Sequence, residues 1–542
     1  MNHAKVLDCT LRDGAYLVDK EFGNSTILGI VNGLVDAKID FIEIGFLQDE
    51  GFGEGKTVYK NSKEAEKFIP QDKKGCEFTV LADYSRYSVD NLDEYTGKSI
   101  DAVRECFFKD ERYEAIEVCK KIKEKGYKLF VQPVDILGYT DLELIEFISL
   151  INEVEPYCLS IVDTFGSMYQ EDLHRVFEVI NHNLVSTCKV GFHSHNNMQM
   201  SNALSQEFLR MTINKREVVI DGTISGMGRG AGNTPTELIV QYMVSKMGYC
   251  YDMDAILDII DGYMDNIRSR CSWGYNTPYF IAGAYGAHVN NIAYLTQKNS
   301  IRSKDIRYIL NKIGELPRKR YDYDLLEKTY LEYLAADIDD TTALKRLKEE
   351  IGNRSVLILV PGNTVVTELD RIVKYIKKEN PIIIAVNFIH DEIHADYLYM
   401  SNVKRYRYWS NNEVFKKQKK ILTSNIGIDS IEDDNIIVSF VNLIKCGWER
   451  LDNSTLMLLR LLDRLNVSKI AIAGFDGYSH AENQNLNYAS KYLELSSSKS
   501  NPGKLNQEIL DMLNDYQVSR ENKDIPITFI TASRFQKCFE NF

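Results

Sequence analysis

Two short segments, Asp8-Cys-Thr-Leu-Arg-Asp-Gly14 and Phe192-His-Ser-His-Asn-Asn197, carry the residue types that hold a cation. Side chains i and i+2 of a strand point the same way, so His193 and His195 can present two imidazoles to one ion while Asp13 adds a carboxylate. Two histidines and one carboxylate leave coordination positions open for water or a chelating substrate. A His-x-His pair alone is also common on ordinary exposed strands. Its occurrence together with Arg-Asp-Gly is what favours a metal. Cys9 lies beside this group but has no partner base, so it is not read as a nucleophile.

These residues need elements to position them. Short β-branched or apolar runs alternate with amphipathic stretches over the first 250 residues or so, the rhythm of repeated βα units. The predicted strands are Val6–Thr10, Phe41–Phe46, Phe78–Ala82, Ala102–Phe108, Leu129–Val134, Leu159–Asp163, Val190–His195 and Val218–Gly222. Helices are expected between them, among them Glu111–Lys125 and Asp141–Val154. Eight units in about 250 residues fit a closed (β/α)8 TIM barrel better than an open doubly wound sheet, and a barrel puts its chemistry at strand C-termini. The two cation-binding segments end the first and seventh predicted strands.

The barrel is expected over residues 1–300, a helical extension over 301–352 with Ala255–Arg270, Lys304–Ile313 and Thr342–Ile351 as helices nearby, and a second α/β domain over 353–542. That last part restarts a strand–helix rhythm at Ser355-Val-Leu-Ile-Leu and Pro381-Ile-Ile-Ile-Ala, with later strands at Ile436–Phe440, Ile470–Ala473 and Ile527–Thr531. It is Rossmann-like in pattern.

A chain of 542 residues with net charge −13 gains nothing from releasing the counterions of nucleic acid or anionic lipid, so neither partner is expected. No run of about 18 apolar residues offers a membrane span. The ten cysteines include no CxxC pair and read as reduced thiols, and the start of the chain lacks the features of a secretory leader, so a cytoplasmic location is expected.

The motifs resemble those of the TIM-barrel metallolyases that share an Asp-Arg-Glu signature, a family that includes 4-hydroxy-2-oxovalerate aldolase, hydroxymethylglutaryl-CoA lyase and the isopropylmalate and homocitrate synthases. Arg12, Asp13 and Glu43, in Phe41-Ile-Glu-Ile-Gly-Phe46, match the signature. His193 and His195 match its metal histidines, Asp163-Thr-Phe-Gly166 its sixth-strand segment, and Gly226-Met-Gly-Arg-Gly-Ala-Gly-Asn233 its glycine-rich loop. The resemblance covers about residues 1–300. It implies a lyase with Mn²⁺ or Mg²⁺ held by Asp13, His193 and His195, making or breaking a C–C bond through the enolate of a 2-keto acid. Arg12 would stabilise the enolate oxygen with Glu43 orienting it through a bidentate bond, and Arg12, Thr164, Gly230 and Asn233 would line the substrate. The glycine-rich loop has two readings, an amide cradle for a carboxylate or a tight strand-to-helix turn. An acyl-CoA-condensing synthase and a non-catalytic barrel serving as scaffold are the alternatives, and a homodimer is expected.

Hydroxyoxovalerate aldolases place a histidine shortly after Arg-Asp-Gly, where this chain has Tyr16. A tyrosine with a pKa near 10 is a poor base at neutral pH. His288, with Tyr275 or Tyr279 nearby in sequence, is the second candidate for moving the proton. In the C-terminal part, Val360-Pro-Gly-Asn-Thr follows a strand, and the run to Tyr397-Leu-Tyr-Met-Ser-Asn402 faintly resembles bacterial sialyltransferases and related surface-glycan proteins. That resemblance implies a nucleotide or nucleotide-sugar partner, with Asn387, Asn402 and Asp476 as polar groups at strand ends.

Overall fold

A computed structural model describes residues 3–51, 53–298, 301, 303–334, 338–426, 435–445, 447, 448, 452–479, 488, 489 and 501–539. Cys446 lies outside them, and the nine described cysteines are all free. The chain divides into two compact units, residues 1–293 with 314–321, and residues 294–313 with 322–542.

The first unit is an eight-stranded parallel barrel. Its strands are β1 (Ala4–Asp8), β2 (Phe41–Leu47), β3 (Glu77–Asp83), β4 (Ala102–Phe107), β5 (Lys128–Pro133), β6 (Cys158–Asp163), β7 (Lys189–Ser194) and β8 (Val218–Gly222). Neighbours pair in sequence order. β1 closes the ring by pairing with β8 from Ala4↔Val218 to Asp8↔Gly222 and with β2 at Leu7↔Phe41 and Asp8↔Ile42. A two-residue strand, Val58–Tyr59, adds to the edge of β2, and Gly45 makes room for it: a Cβ there would sit 2.2 Å from the Thr57 carbonyl oxygen.

Local sequence explains the helices that wrap the strands. Asp141–Val154 begins on a capping box, in which the Thr140 hydroxyl accepts from the Glu143 amide and the Glu143 carboxylate accepts from the Thr140 amide. Leu144, Phe147, Ile148 and Ile151 then form its buried stripe. The helix predicted over Ala255–Arg270 is interrupted by a π-turn, Ile260–Met264, and so falls into Met253–Ile259 and Asp265–Arg270.

Inside the barrel, alternate residues of each strand form layers. Leu7, Phe41, Ala102, Phe130, Cys158 and Val219 make an apolar floor. Two residues further along the strands stand Glu43, Arg104, Gln132, Ser160 and Asp221, all buried. The floor keeps water from below, and the polar layer faces the C-terminal mouth.

The second unit is built on a seven-stranded parallel sheet: β9 (Ser355–Leu359), β10 (Ile382–Val386), β11 (Tyr397–Met400), β12 (Lys420–Thr423), β13 (Asn435–Val438), β14 (Lys469–Ala473) and β15 (Ile527–Phe529). The spatial order is β13-β12-β11-β10-β9-β14-β15. Successive strands leave β9 on one side until β14 returns to its other side, which makes the β9/β14 boundary a topological switch point. The sheet is an α/β domain of the kind the strand–helix rhythm predicts. No helix among the described residues is long and apolar enough to cross a membrane.

Candidate active site

The end of β1 is tied to the end of β8, and this fixes the direction of Arg12 and Asp13. The Cys9 amide donates to the Gly222 carbonyl at 2.8 Å, the Thr10 hydroxyl accepts from the Ile224 amide at 2.7 Å, and Asp8 accepts from the Thr10 amide and the Thr236 hydroxyl. A single helical turn, Thr10–Asp13, follows at once and turns both charged side chains back over the barrel axis, where they are buried.

Asp13 Oδ2 lies 3.1 Å from His193 Nε2 and 3.4 Å from His195 Nε2, and the two rings stand nearly perpendicular, 4.9 Å apart. The opposite ring nitrogens are engaged. His195 Nδ1 donates to the Asp163 carbonyl at 2.9 Å and His193 Nδ1 donates to Asp221 Oδ2 at 3.0 Å. In the neutral rings both Nε2 lone pairs therefore face a carboxylate oxygen, an arrangement that a proton or a cation must reconcile. Burial raises the Asp13 carboxyl, but Arg12 and the two histidines outweigh it and hold the group well below the usual range. Burial pulls both histidines down. His195 stays low, whereas bonds to Asp13 and Asp221 raise His193. Cys9 Sγ joins Asp13 and His193 in a cluster whose ligand atoms lie within 4.8 Å of one another. Burial pushes its thiol up, and the S–H donates to the Gly222 carbonyl.

Asn233, whose backbone bridges to His195, offers a further oxygen. It is 2% exposed, donates from Nδ2 to the Met227 carbonyl, and leaves Oδ1 buried without a partner. Together with Asp13 and the two imidazoles, this oxygen suits a hard divalent ion with an incomplete shell.

Arg12 and His193 are linked through the polar layer beneath them. Arg12 Nε donates to Glu43 Oε2 at 2.7 Å, Arg104 Nη1 donates to the same oxygen at 3.0 Å, and Arg104 Nη2 pairs with Asp221 Oδ2. Asp221 holds His193, His193 meets Asp13, and Asp13 lies 3.3 Å from Arg12 Nη1. Six side chains thus close a ring. The bidentate Arg12–Glu43 bond expected from sequence is not formed: one Glu43 oxygen serves two guanidinium groups and the other has no hydrogen-bond partner. Arg104 and Asp221 were not singled out from sequence. A charged residue in the middle of an apolar strand, and the acid of Val218-Val-Ile-Asp-Gly222 at a strand end, were the available signals.

The remaining candidates divide. Tyr16 packs its ring on Phe46 and lies under the Arg229 guanidinium, 3.8 Å from its carbon, and burial raises its hydroxyl above the ordinary value against the pull of Arg229 and Arg12. His288 is pushed down to about 3 by burial and by Arg229. Its Nδ1 accepts from the Asn290 amide, so the proton sits on Nε2, and the ring packs 4.9 Å from Tyr321. Residues 314–321 carry Tyr321 there: the His288 amide donates to the Arg318 carbonyl, and Lys319 pairs with Asp135 at 2.9 Å. Thr164 accepts from the Asp135 amide beside the mouth, while Tyr275 is 61% exposed. Gly230 has φ +66° and packs on Asn197. The glycine-rich loop behaves mainly as a tight turn. The amides of Gly226, Met227, Gly232 and Asn233 donate to neighbouring carbonyls, Ala231 donates to Asn197, and a Cβ on Gly232 would lie 2.0 Å from the Gly226 oxygen.

An acidic residue after the first strand, two histidines at the end of the seventh and a paired Arg–Glu thus come together at one end of a closed barrel. Residues 3–261 match the family model described as HMGL-like. This chain is similar to oxaloacetate decarboxylase of Mycobacterium tuberculosis, 26% identical over 54% of this chain and 84% of that protein. It is also 26% identical to 4-hydroxy-2-oxovalerate aldolase of Moorella thermoacetica, over 58% of this chain and 91% of that one. Among solved structures, HMG-CoA lyase from Brucella melitensis aligns at 16% identity over 50% of this chain and all of its own, with a TM-score of 0.41.

Proposed function

We propose that the barrel is a divalent-metal-dependent carbon–carbon lyase acting through the enolate of a 2-keto acid, with Mn²⁺ or Mg²⁺ at Asp13, His193 and His195. The observation that carries this reading is the convergence of two imidazole Nε2 atoms on one buried carboxylate, with both Nδ1 atoms engaged elsewhere. When bound, the ion supplies Lewis-acid stabilisation of negative charge on the 2-oxo oxygen.

The protein's own groups do the rest. Arg12, locked by Glu43 and Asp13, holds a permanent positive charge at the mouth with Nη2 free to donate to a developing oxyanion. A donor fixed in this way is worth ~10²–10³ in kcat. The apolar floor and buried polar layer exclude water from beneath the enolate, and Asn233 Oδ1 and the Thr164 hydroxyl line the approach.

Two reactions share this machinery. Retro-aldol cleavage of a 4-hydroxy-2-oxo acid needs a base for the 4-hydroxyl, whereas decarboxylation of a 3-carboxy-2-oxo acid does not. Tyr16 is raised and keeps its hydroxyl proton at neutral pH, while burial weakens His288 as a base, so neither is a ready base. That favours decarboxylation of an oxaloacetate-like acid, with the Tyr16 hydroxyl delivering the proton to C3 of the enolate. The test is pyruvate release with Mn²⁺ from oxaloacetate and from 4-hydroxy-2-oxovalerate, by the intact chain and by His193→Ala. Turnover of the first acid above the uncatalysed rate, lost in the variant, is expected. Turnover of only the second would return the assignment to the aldolase reaction, and metal-dependent turnover of neither would sink the lyase reading.

A further inference from the structure

The C-terminal unit holds a cavity of about 280 Å³ at the C-terminal ends of β9, β10, β11 and β14, beside the switch point of its sheet. Most polar groups on its wall already serve the protein. Asn387 donates to the Ser454 hydroxyl and accepts from the amides of Ser401 and Asn402; Asn402 caps the helix Val403–Trp409; Asp476 accepts from the Thr364 amide and hydroxyl; Asp452 pairs with Arg460. Close glycines pack the loops together: a Cβ on Gly362 would lie 2.2 Å from the Gly474 oxygen.

Arg405 is the exception. It is 8% exposed, lines the cavity, makes no ion pair among the described residues and leaves Nη1 buried without a hydrogen-bond partner. Its guanidinium carbon lies 5.5 Å from the centre of the Tyr488 ring, a contact that does not neutralise the charge. A buried cation without a counter-charge costs stability unless a ligand brings the anion. Beside it the helix Ser454–Leu465 opens onto the same cavity with Ser454 and Thr455 on the wall, so its positive N-terminal end faces the space that Arg405 faces.

A guanidinium fork and a helix N-terminus on the wall of one cavity suit a phosphate group. Tyr478, Phe475 and Met512 supply a wall for an apolar or ring-shaped body, and Glu508 offers a carboxylate that hydroxyls can donate to. We propose that the cavity binds a compact hydroxylated phosphate ester, a sugar phosphate or nucleoside monophosphate, with Arg405 holding its phosphate. This site is separate from the barrel chemistry and does not depend on it.

The test is titration calorimetry of the intact chain with inorganic phosphate, glucose 1-phosphate, uridine monophosphate and galacturonate. At least one of the two esters should bind saturably and more tightly than inorganic phosphate. Arg405→Met should weaken it at least tenfold, about 1.4 kcal/mol, Arg405→Lys by less, and His193→Ala in the barrel not at all. Without ligand, Arg405→Met should melt no lower than the parent. If Arg405→Met does not fold, the Lys variant decides, since losing the fork must still weaken the ester. Binding of neither ester, binding of galacturonate alone, or ester binding indifferent to Arg405 would each overturn the proposal.

Discussion

The barrel mouth and the C-terminal cavity both bury arginines, and they treat them in opposite ways. In the barrel, Arg12 and Arg104 stand among Glu43, Asp221 and Asp13, and each carboxylate of the ring faces at least one cation. In the other unit, Arg405 reaches its cavity without an ion pair among the described residues. The difference separates two uses of buried charge. A site that must hold a geometry through many reaction cycles completes its electrostatics with its own side chains, whereas a site that must capture an anion leaves one charge for that anion to complete.

The largest expected effect tests this contrast directly. Arg104→Met strips the cation from Glu43 and Asp221, and breaking a buried pair costs about 3–5 kcal/mol. In a unit of this size that is a fall on the order of 10 °C in barrel melting by calorimetry. Arg405→Met should show no such loss, and equal losses in both would erase the distinction. Next, Arg12→Met should retain Mn²⁺ binding while kcat for the preferred keto acid falls ~10²–10³-fold. A variant that loses metal and rate together would mean that Arg12 acts mainly by holding Asp13.

Asp8 gives an intermediate case, a buried carboxyl with hydrogen bonds from Thr10 and Thr236 and no adjacent cation. Burial lifts it from 3.8 to about 6. A raised folded value means that its contribution is fully present below about pH 4 and is lost as the pH rises through 6. Asp8→Asn should therefore flatten the decline in stability between pH 4 and 6, a difference of at most about 3 kcal/mol. An unchanged slope would show that Asp8 stays ionised. The smallest effect belongs to Asp221→Asn, which keeps a group beside His193 Nδ1 but gives up its charge. Mn²⁺ affinity should weaken ~10–100-fold by electron paramagnetic resonance titration, read well below the melting point that loss of the Arg104–Asp221 pair lowers.

The strand plan was legible because eight apolar runs at βα spacing leave few closed arrangements, and every predicted barrel strand lies within two residues of the observed one. That Asp13, His193 and His195 meet was legible because they lie at strand ends, where a barrel concentrates polar groups. Arg104 and Asp221 were not, since which face of a strand points inward is decided by barrel closure and not by any one segment. The Arg12–Glu43 geometry also escaped, because the competitor for the shared oxygen lies 61 residues beyond Glu43. The role of Gly314–Tyr321, part of the barrel's unit while its flanking helices belong to the other, has no local signature at all.

The closed ring in the barrel has a consequence for the order of assembly. With His193 neutral, its two guanidinium groups and three carboxylates leave it one unit negative. A divalent ion overshoots by one unit, and a keto acid with a single carboxylate restores balance. Ion and acid should therefore recruit each other: pyruvate ought to tighten Mn²⁺ by the same factor by which Mn²⁺ tightens pyruvate. The empty mouth attracts the metal, and only the loaded mouth attracts the acid.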